Sequence, residues 1–348
     1  MSKKLYLECS TGISGDMTVA ALLGLGADRA KLESVLESLK KTVGGFDTRI
    51  SEVQKSAITA MDFDVILETD NHDHDMEYLY GHEMGENEHH HGEHHGDDHE
   101  HYQGVHHGDD SEYHHDHEHN HNHDYDNHDH HKDHDHDNHD HDHDDHDHGH
   151  YHDHDDHDHG HHDHDHHHDH SHVHRSLDDV IEIINSADMT DAAQNIATRV
   201  FTIVAEAEAA VHGRKVNEVH FHEVGAIDSI VDIIAAAVCY EDLVSKYEIE
   251  DTIVTKLVDG SGTIRCQHGI LPVPVPAVLK IAEQTGIPLS ISNRSGEFVT
   301  PTGAAFAASV ATENRLPESF RVIKTGLGAG KREYEVPGIL RAMIIECE

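Results

Sequence analysis

The stretch LYLECSTGISGDMTVAALLGL, residues 5–25, decides the fold. Residues 5–9 read as a strand, a glycine- and hydroxyl-rich loop follows, and the apolar run over 16–25 predicts a helix. A strand delivered into a helix by a short loop is the opening unit of an α/β architecture. Working outward, a second helix is expected around 30–40, and alternating stretches near 47–53 and 58–67 look like a pair of strands. Beyond residue 175 the helical period returns. Leu177, Val180, Ile181 and Ile184 recur at helix spacing behind Ser176, a fitting N-cap. A long helix is predicted over 191–212, ended by Gly213, and an apolar one over 226–246. After Asp251 strands resume, the first prolines appear, and 339–347 is strand-like. The expected fold class is α/β: a single mixed α/β domain made of residues 1–70 and 175–348.

Between those parts lies a segment of another kind. Residues 71–174 are nearly all His, Asp, Glu, Gly and Asn and hold 42 of the 46 histidines. Residues 70–174 contain 34 acids and one base, Lys132, so they carry −33 of the net −45 and leave −12 for the rest. With almost no large apolar residues, the segment cannot offset the entropy of ordering and is expected to be a disordered insert in a surface loop. A merely solvated loop has no need of so many imidazoles. Neutral imidazole with carboxylate suits nickel, zinc and copper, so the insert reads as metal-binding, for storage, capture or delivery. A chain without fixed geometry is a poor precise site.

Composition also limits the partners. The acidity argues against nucleic acid and against an anionic membrane surface. There is no run of about 18 apolar residues and no apolar signal core in MSKKLYLECS. Cysteines stand singly at Cys9, Cys239, Cys266 and Cys347 without a CxxC pair. That usage fits a reducing cytoplasm.

Five blocks carry candidate chemistry. In CSTGISGDM (9–17), Gly12, Ser14, Gly15 and Asp16 lie between strand and helix. Such a loop exposes N–H groups as an anion seat; a tight turn with Asp16 as its cap is the competing reading. In HFHEVGAIDSIVD (220–232), His220 and His222 are two apart and face one side of an extended segment, with Glu223 beside them. Asp228 and Asp232 follow four apart on an otherwise apolar helix face. Buried carboxylates need partners, and a metal would supply one; a capping acid and an ion pair would also do. In HGILPVPVPA (268–277), Pro272, Pro274 and Pro276 force an extended wall that starts at His268. In GEFVTPTGAA (296–305), Pro301 opens a helix, and Thr300, Thr302 and Gly303 form a second anion seat. GLGAG (326–330) reads as a loop of close approach.

In this order, with HRSL (174–177) and AEAEAAVHG (205–213), the blocks resemble the LarC family, over nearly all of the chain outside the insert. The resemblance implies a nickel chelatase or cyclometallase of the lyase class. Its substrate would be pyridinium-3,5-bisthiocarboxylic acid mononucleotide. Ni2+ would be placed between two sulfurs and a ring carbon, with CTP and Mn2+ or Mg2+ assisting. The product would serve lactate racemase-type enzymes, to whose apoenzyme it would be delivered. Under this reading His220, His222, Asp228 and Asp232 hold metal, and residues 12–16 or 300–303 seat the phosphate. Glu223 or His268 takes the ring proton. Relatives continue beyond this point into a C-terminal CTP-binding domain, which is expected to be missing here and supplied by a separate C-terminal portion. The alternative is a non-catalytic histidine-rich nickel store or chaperone. A zinc hydrolase has less support, since HFHEVG (220–225) is not an HExxH motif.

Overall fold

The computed structural model describes residues 2–68, 175–218, 221, 225–266 and 268–347. The insert at 71–174 and the candidates His220, His222 and Glu223 lie outside the described residues. The described residues on both sides of the insert pack into one unit.

The opening stretch folds as β1 (Ser2–Glu8), a loop, and α1 (Gly15–Leu25). Next come α2 (Arg29–Thr42), whose N-cap Asp28 accepts from the N–H groups of Ala30 and Lys31, and the hairpin of β2 (Phe46–Lys55) and β3 (Ile58–Leu67). After the insert, α3 (Leu177–Ser186) begins with a capping box: Ser176 and Asp179 satisfy each other's backbone N–H groups. The expected long helix is α4 (Asp191–His212), capped by Thr190 and closed by left-handed Gly213. The apolar helix is α5 (Ile227–Tyr247), leading into β4 (Ile249–Ile253).

Among the described residues, six strands form the main sheet, in the order β2-β3-β9-β10-β1-β4, where β9 is Arg321–Ala329 and β10 is Ile339–Cys347. β10 pairs antiparallel with both β1 and β9, whereas β4 runs parallel to β1. The sheet is therefore mixed, and the α/β class holds. Smaller pairs join β5 (Leu257–Ser261) to β8 (Leu289–Ser295) and β6 (Thr263–Cys266) to β7 (Gly269–Pro272).

Helix α1 lies at the centre of the core, with Val19, Ala20, Ala21, Leu22 and Leu25 fully buried. It packs on β9, β3 and α5. The approach to β9 is close. A β-carbon at Gly328 would stand 2.1 Å from the Met17 carbonyl oxygen, and one at Gly326 would stand 2.2 Å from that of Ala21. Close approach was expected of GLGAG, but as a loop; its residues through Ala329 are strand β9. The proline wall is also shorter than expected. Pro272 ends β7, and Pro276 is the first residue of α6 (Pro276–Thr285), where its missing N–H costs no helical bond.

Candidate functional site

The loop after β1 turns at Gly12, whose φ of +92° favours glycine. Contact also requires glycine there, because a β-carbon would stand 2.0 Å from the Phe298 carbonyl oxygen. Ile13 then pairs with the chain that opens α7 (Pro301–Val310). Its N–H donates to Phe298 O at 2.9 Å, and the Thr300 N–H donates to Ile13 O at 3.0 Å. The two helix starts read separately as anion seats are thus laced side by side. Buried Asp259 holds the second in place: its Oδ1 accepts from the N–H groups of Gly260 and Phe298, both at 2.8 Å, and of Val299 at 3.1 Å.

Both starts open into one cavity of about 1050 Å³. Ser14, Gly15 and Asp16 line it from α1, and Thr300 and Thr302 from α7. Gly12 and Gly303 do not: Gly12 serves the turn, and the Gly303 N–H donates to the capping Thr300 hydroxyl at 3.2 Å. Asp16 is not the cap expected of it. Ser14 occupies the N-cap position, and its hydroxyl donates to the Asp16 carboxylate.

Asp228 and Asp232 line the same cavity from α5, as their spacing required. Asp232 Oδ2 lies against Gly15, 2.6 Å from where a β-carbon would be. The Asp16 N–H donates to the Asp232 carboxylate. Its Oδ1 is shielded from solvent and has no hydrogen-bond partner among the described residues. Burial raises the pKa of Asp232 well above the usual carboxylate range, the charges of Asp16 and Asp228 raise it further, and Lys331 opposes them. Burial likewise raises Asp16, against the Ser14 hydrogen bond and the Lys331 charge. Lys331 is the compensating cation, 2.6 Å from Asp62 Oδ1 and 3.4 Å from Asp64 Oδ1. Next to it, Arg332 pairs with Glu297 at 2.5 Å.

His268 lines the cavity too, with Cys266, Glu208 and His212. Of these only His268 was singled out from the sequence. The signals for the others were the four-residue spacing of Glu208 and His212 inside AEAEAAVHG, and the two-residue spacing of Cys266 and His268. Lys331 follows GLGAG with no local pattern to mark it. Among the described residues, no three His, Cys, Asp or Glu side chains converge, as they stand, to hold a metal ion. No helix among them is long and apolar enough to cross a membrane.

A family model described as nickel insertion protein matches residues 5–348. The pyridinium-3,5-bisthiocarboxylic acid mononucleotide nickel insertion protein of Alkaliphilus metalliredigens is 38% identical over 347 residues, 99% of this chain and 61% of that protein. The proteins of the same name from Clostridium acetobutylicum and Akkermansia muciniphila are 37% and 31% identical, again over 99% of this chain and over 64% and 61% of their own lengths. No solved structure matches the chain. This chain therefore spans under two thirds of the length of these relatives. With the match running from β1 through β10, it belongs to the nickel insertion protein family.

Proposed function

We propose that the cavity takes pyridinium-3,5-bisthiocarboxylic acid mononucleotide, the compound in the relatives' names, and that nickel is inserted into it there. One observation carries the reading: two helix N-termini and the carboxylates of Asp16, Asp228 and Asp232 face a single cavity of about 1050 Å³. The helix starts at Ser14–Gly15 and at Thr302 suit the phosphate, since first-turn N–H groups and the positive dipole end favour an anion. The carboxylates of Asp16, Asp228 and Asp232 suit a cation: burial destabilises the ionised forms of Asp16 and Asp232, the charge of exposed Asp228 adds to that on Asp232, and a divalent ion relieves both. With His220 and His222 they would complete a nickel set of imidazole and carboxylate.

Nickel is the cargo. Inserting it breaks a ring C–H bond and forms a Ni–C bond, so a proton must leave, and Glu223 or His268 is the acceptor in this reading. CTP, Mn2+ or Mg2+, a separate C-terminal portion, work in a reducing cytoplasm, and delivery to lactate racemase apoenzyme belong to the same proposal. The test mixes the chain with nickel, the mononucleotide, CTP and Mn2+, with and without a C-terminal portion from a relative. Formation of the nickelated product is measured. Wild type should form it, and His222→Ala and Asp232→Ala should not. Full product from both variants would sink the cavity as the reaction site.

The histidine content of 71–174 favours one rival, a nickel store without turnover. It expects the reverse pattern: deleting that segment harms nickel supply, while Asp232→Ala changes nothing.

A further inference from the structure

The cavity lining gathers four further metal-ligating side chains from two parts of the chain. Glu208 and His212 share one face of α4, with His212 Nε2 3.4 Å from Glu208 Oε2. Cys266 closes β6 and His268 sits in the turn to β7, with Cys266 Sγ 4.0 Å from His268 Nδ1. The two pairs meet through their imidazoles, whose ring centroids are 5.1 Å apart at a tilt of 41°. His212 and His268 are exposed, while Cys266 and Glu208 are half-buried. Burial raises the Glu208 pKa, and both imidazoles act against that rise, which places the carboxyl within electrostatic reach of each.

We propose that Cys266, His268, His212 and Glu208 form a receiving site for a divalent transition-metal ion in the cavity lining. A thiolate, two imidazoles and a carboxylate suit nickel or zinc, whereas magnesium, calcium and manganese prefer oxygen ligands. The four do not converge as they stand. A tetrahedral ion with bonds of about 2.0–2.3 Å needs donors roughly 3.3–3.8 Å apart. His212 to Glu208 at 3.4 Å already meets that spacing, and Cys266 to His268 at 4.0 Å nearly does. Joining the pairs takes rotation of two exposed imidazoles. On binding, the Cys266 thiol gives its proton to solvent and its sulfur to the metal. His268, one of two proton acceptors in the proposed function, is then a ligand, which leaves the proton to Glu223. The site stands on this geometry alone, whether or not the cavity takes the mononucleotide.

The full chain allows a direct test despite its many histidines. Residues 71–174 contain no cysteine, and Cys9, Cys239 and Cys347 are buried. A thiolate-to-nickel charge-transfer band in the near ultraviolet therefore reports on Cys266. Nickel titration without nucleotide or CTP should produce the band in wild type and none in Cys266→Ser. His268→Ala and His212→Ala should raise the half-saturating nickel concentration about tenfold or more. If Cys266→Ser lowers the unfolding midpoint, the exposed His268→Ala carries the test alone. Absence of the band at every nickel loading overturns the site. So does a band that survives Cys266→Ser, or one that His268→Ala and His212→Ala leave unmoved.

Discussion

The Asp232 carboxylate on α5 rests directly on Gly15 at the start of α1. A β-carbon at residue 15 would stand 2.6 Å from Asp232 Oδ2 and 2.8 Å from its Cβ. Gly15→Ala should therefore push the carboxylate aside, costing about 1–3 kcal/mol by overpacking. Urea unfolding of Gly15→Ala, Asp232→Ala and the double variant checks this. The double variant should lose less than the sum of the single losses, and strict additivity would show that the contact is not the cause.

Asp259 governs a pH dependence. Its folded pKa is raised, chiefly by burial, although three backbone N–H bonds and Arg332 pull against the rise. A carboxyl raised in this way favours the fold while it is protonated. Its contribution is fully present below the unfolded value near 3.8 and is lost as pH rises through the folded value. Asp259→Asn keeps an acceptor for the N–H groups of Gly260, Phe298 and Val299 and has no proton to lose. Its unfolding midpoint should fall less steeply than that of wild type as pH rises from 4 to 7. Asp259→Ala leaves three buried donors unpaired and should cost about 1–3 kcal/mol at any pH. Parallel pH profiles for wild type and Asp259→Asn would contradict this.

Lys331 neutralises a crowd of acids, with direct bonds to Asp62 and Asp64 and a charge felt by Asp16 and Asp232. Its side chain keeps 26% exposure, so solvent screens part of the loss. Lys331→Met should destabilise by about 1–3 kcal/mol, and Lys331→Arg should recover most of it. Guanidinium unfolding at low salt is the measurement, and equal losses in the two variants would argue against a charge effect.

Nickel capacity and cavity chemistry should separate. Deleting residues 72–173 removes most of the histidines and should lower bound nickel by several ions per chain while cooperative unfolding persists. Imidazoles of ordinary pKa, about 6.5, release metal as they protonate, so the bulk nickel of the full chain should leave by pH 5. Equilibrium dialysis at pH 8 and pH 5 decides the point, and nickel retained at pH 5 would count against imidazole ligation.

What the sequence disclosed was local. Helix α4 could be read because its apolar period, its Thr190–Asp191 start and its Gly213 stop lie within one window. The meeting of Ile13 with Val299 could not, because a parallel bridge across so much chain leaves no mark near either residue. The same holds for Lys331 and Asp62, and for the rings of His212 and His268. GLGAG was misread because glycine serves a turn and a crowded strand equally well. Only the position of α1 shows that Gly326 and Gly328 make room for a helix. Asp228 and Asp232 could be placed together from the sequence, since a helix puts residues four apart on one face, and both line the cavity. Asp16, adjacent in space to Asp232, was read as part of an anion seat with a cap as the competing reading; the N-cap is its neighbour Ser14.

Strand β10 is hydrogen-bonded between β1 and β9, joining Ser2–Glu8 to residues 341–347. This has a consequence in time. The ribosome makes β1 first and its antiparallel partner more than 300 residues later, which at about 5–20 residues per second is a delay of roughly 15–70 s. Until then α1 lacks its complete sheet. The histidine-rich segment emerges long before α7 does, so the nascent chain can meet metal ions while the cavity is still unbuilt.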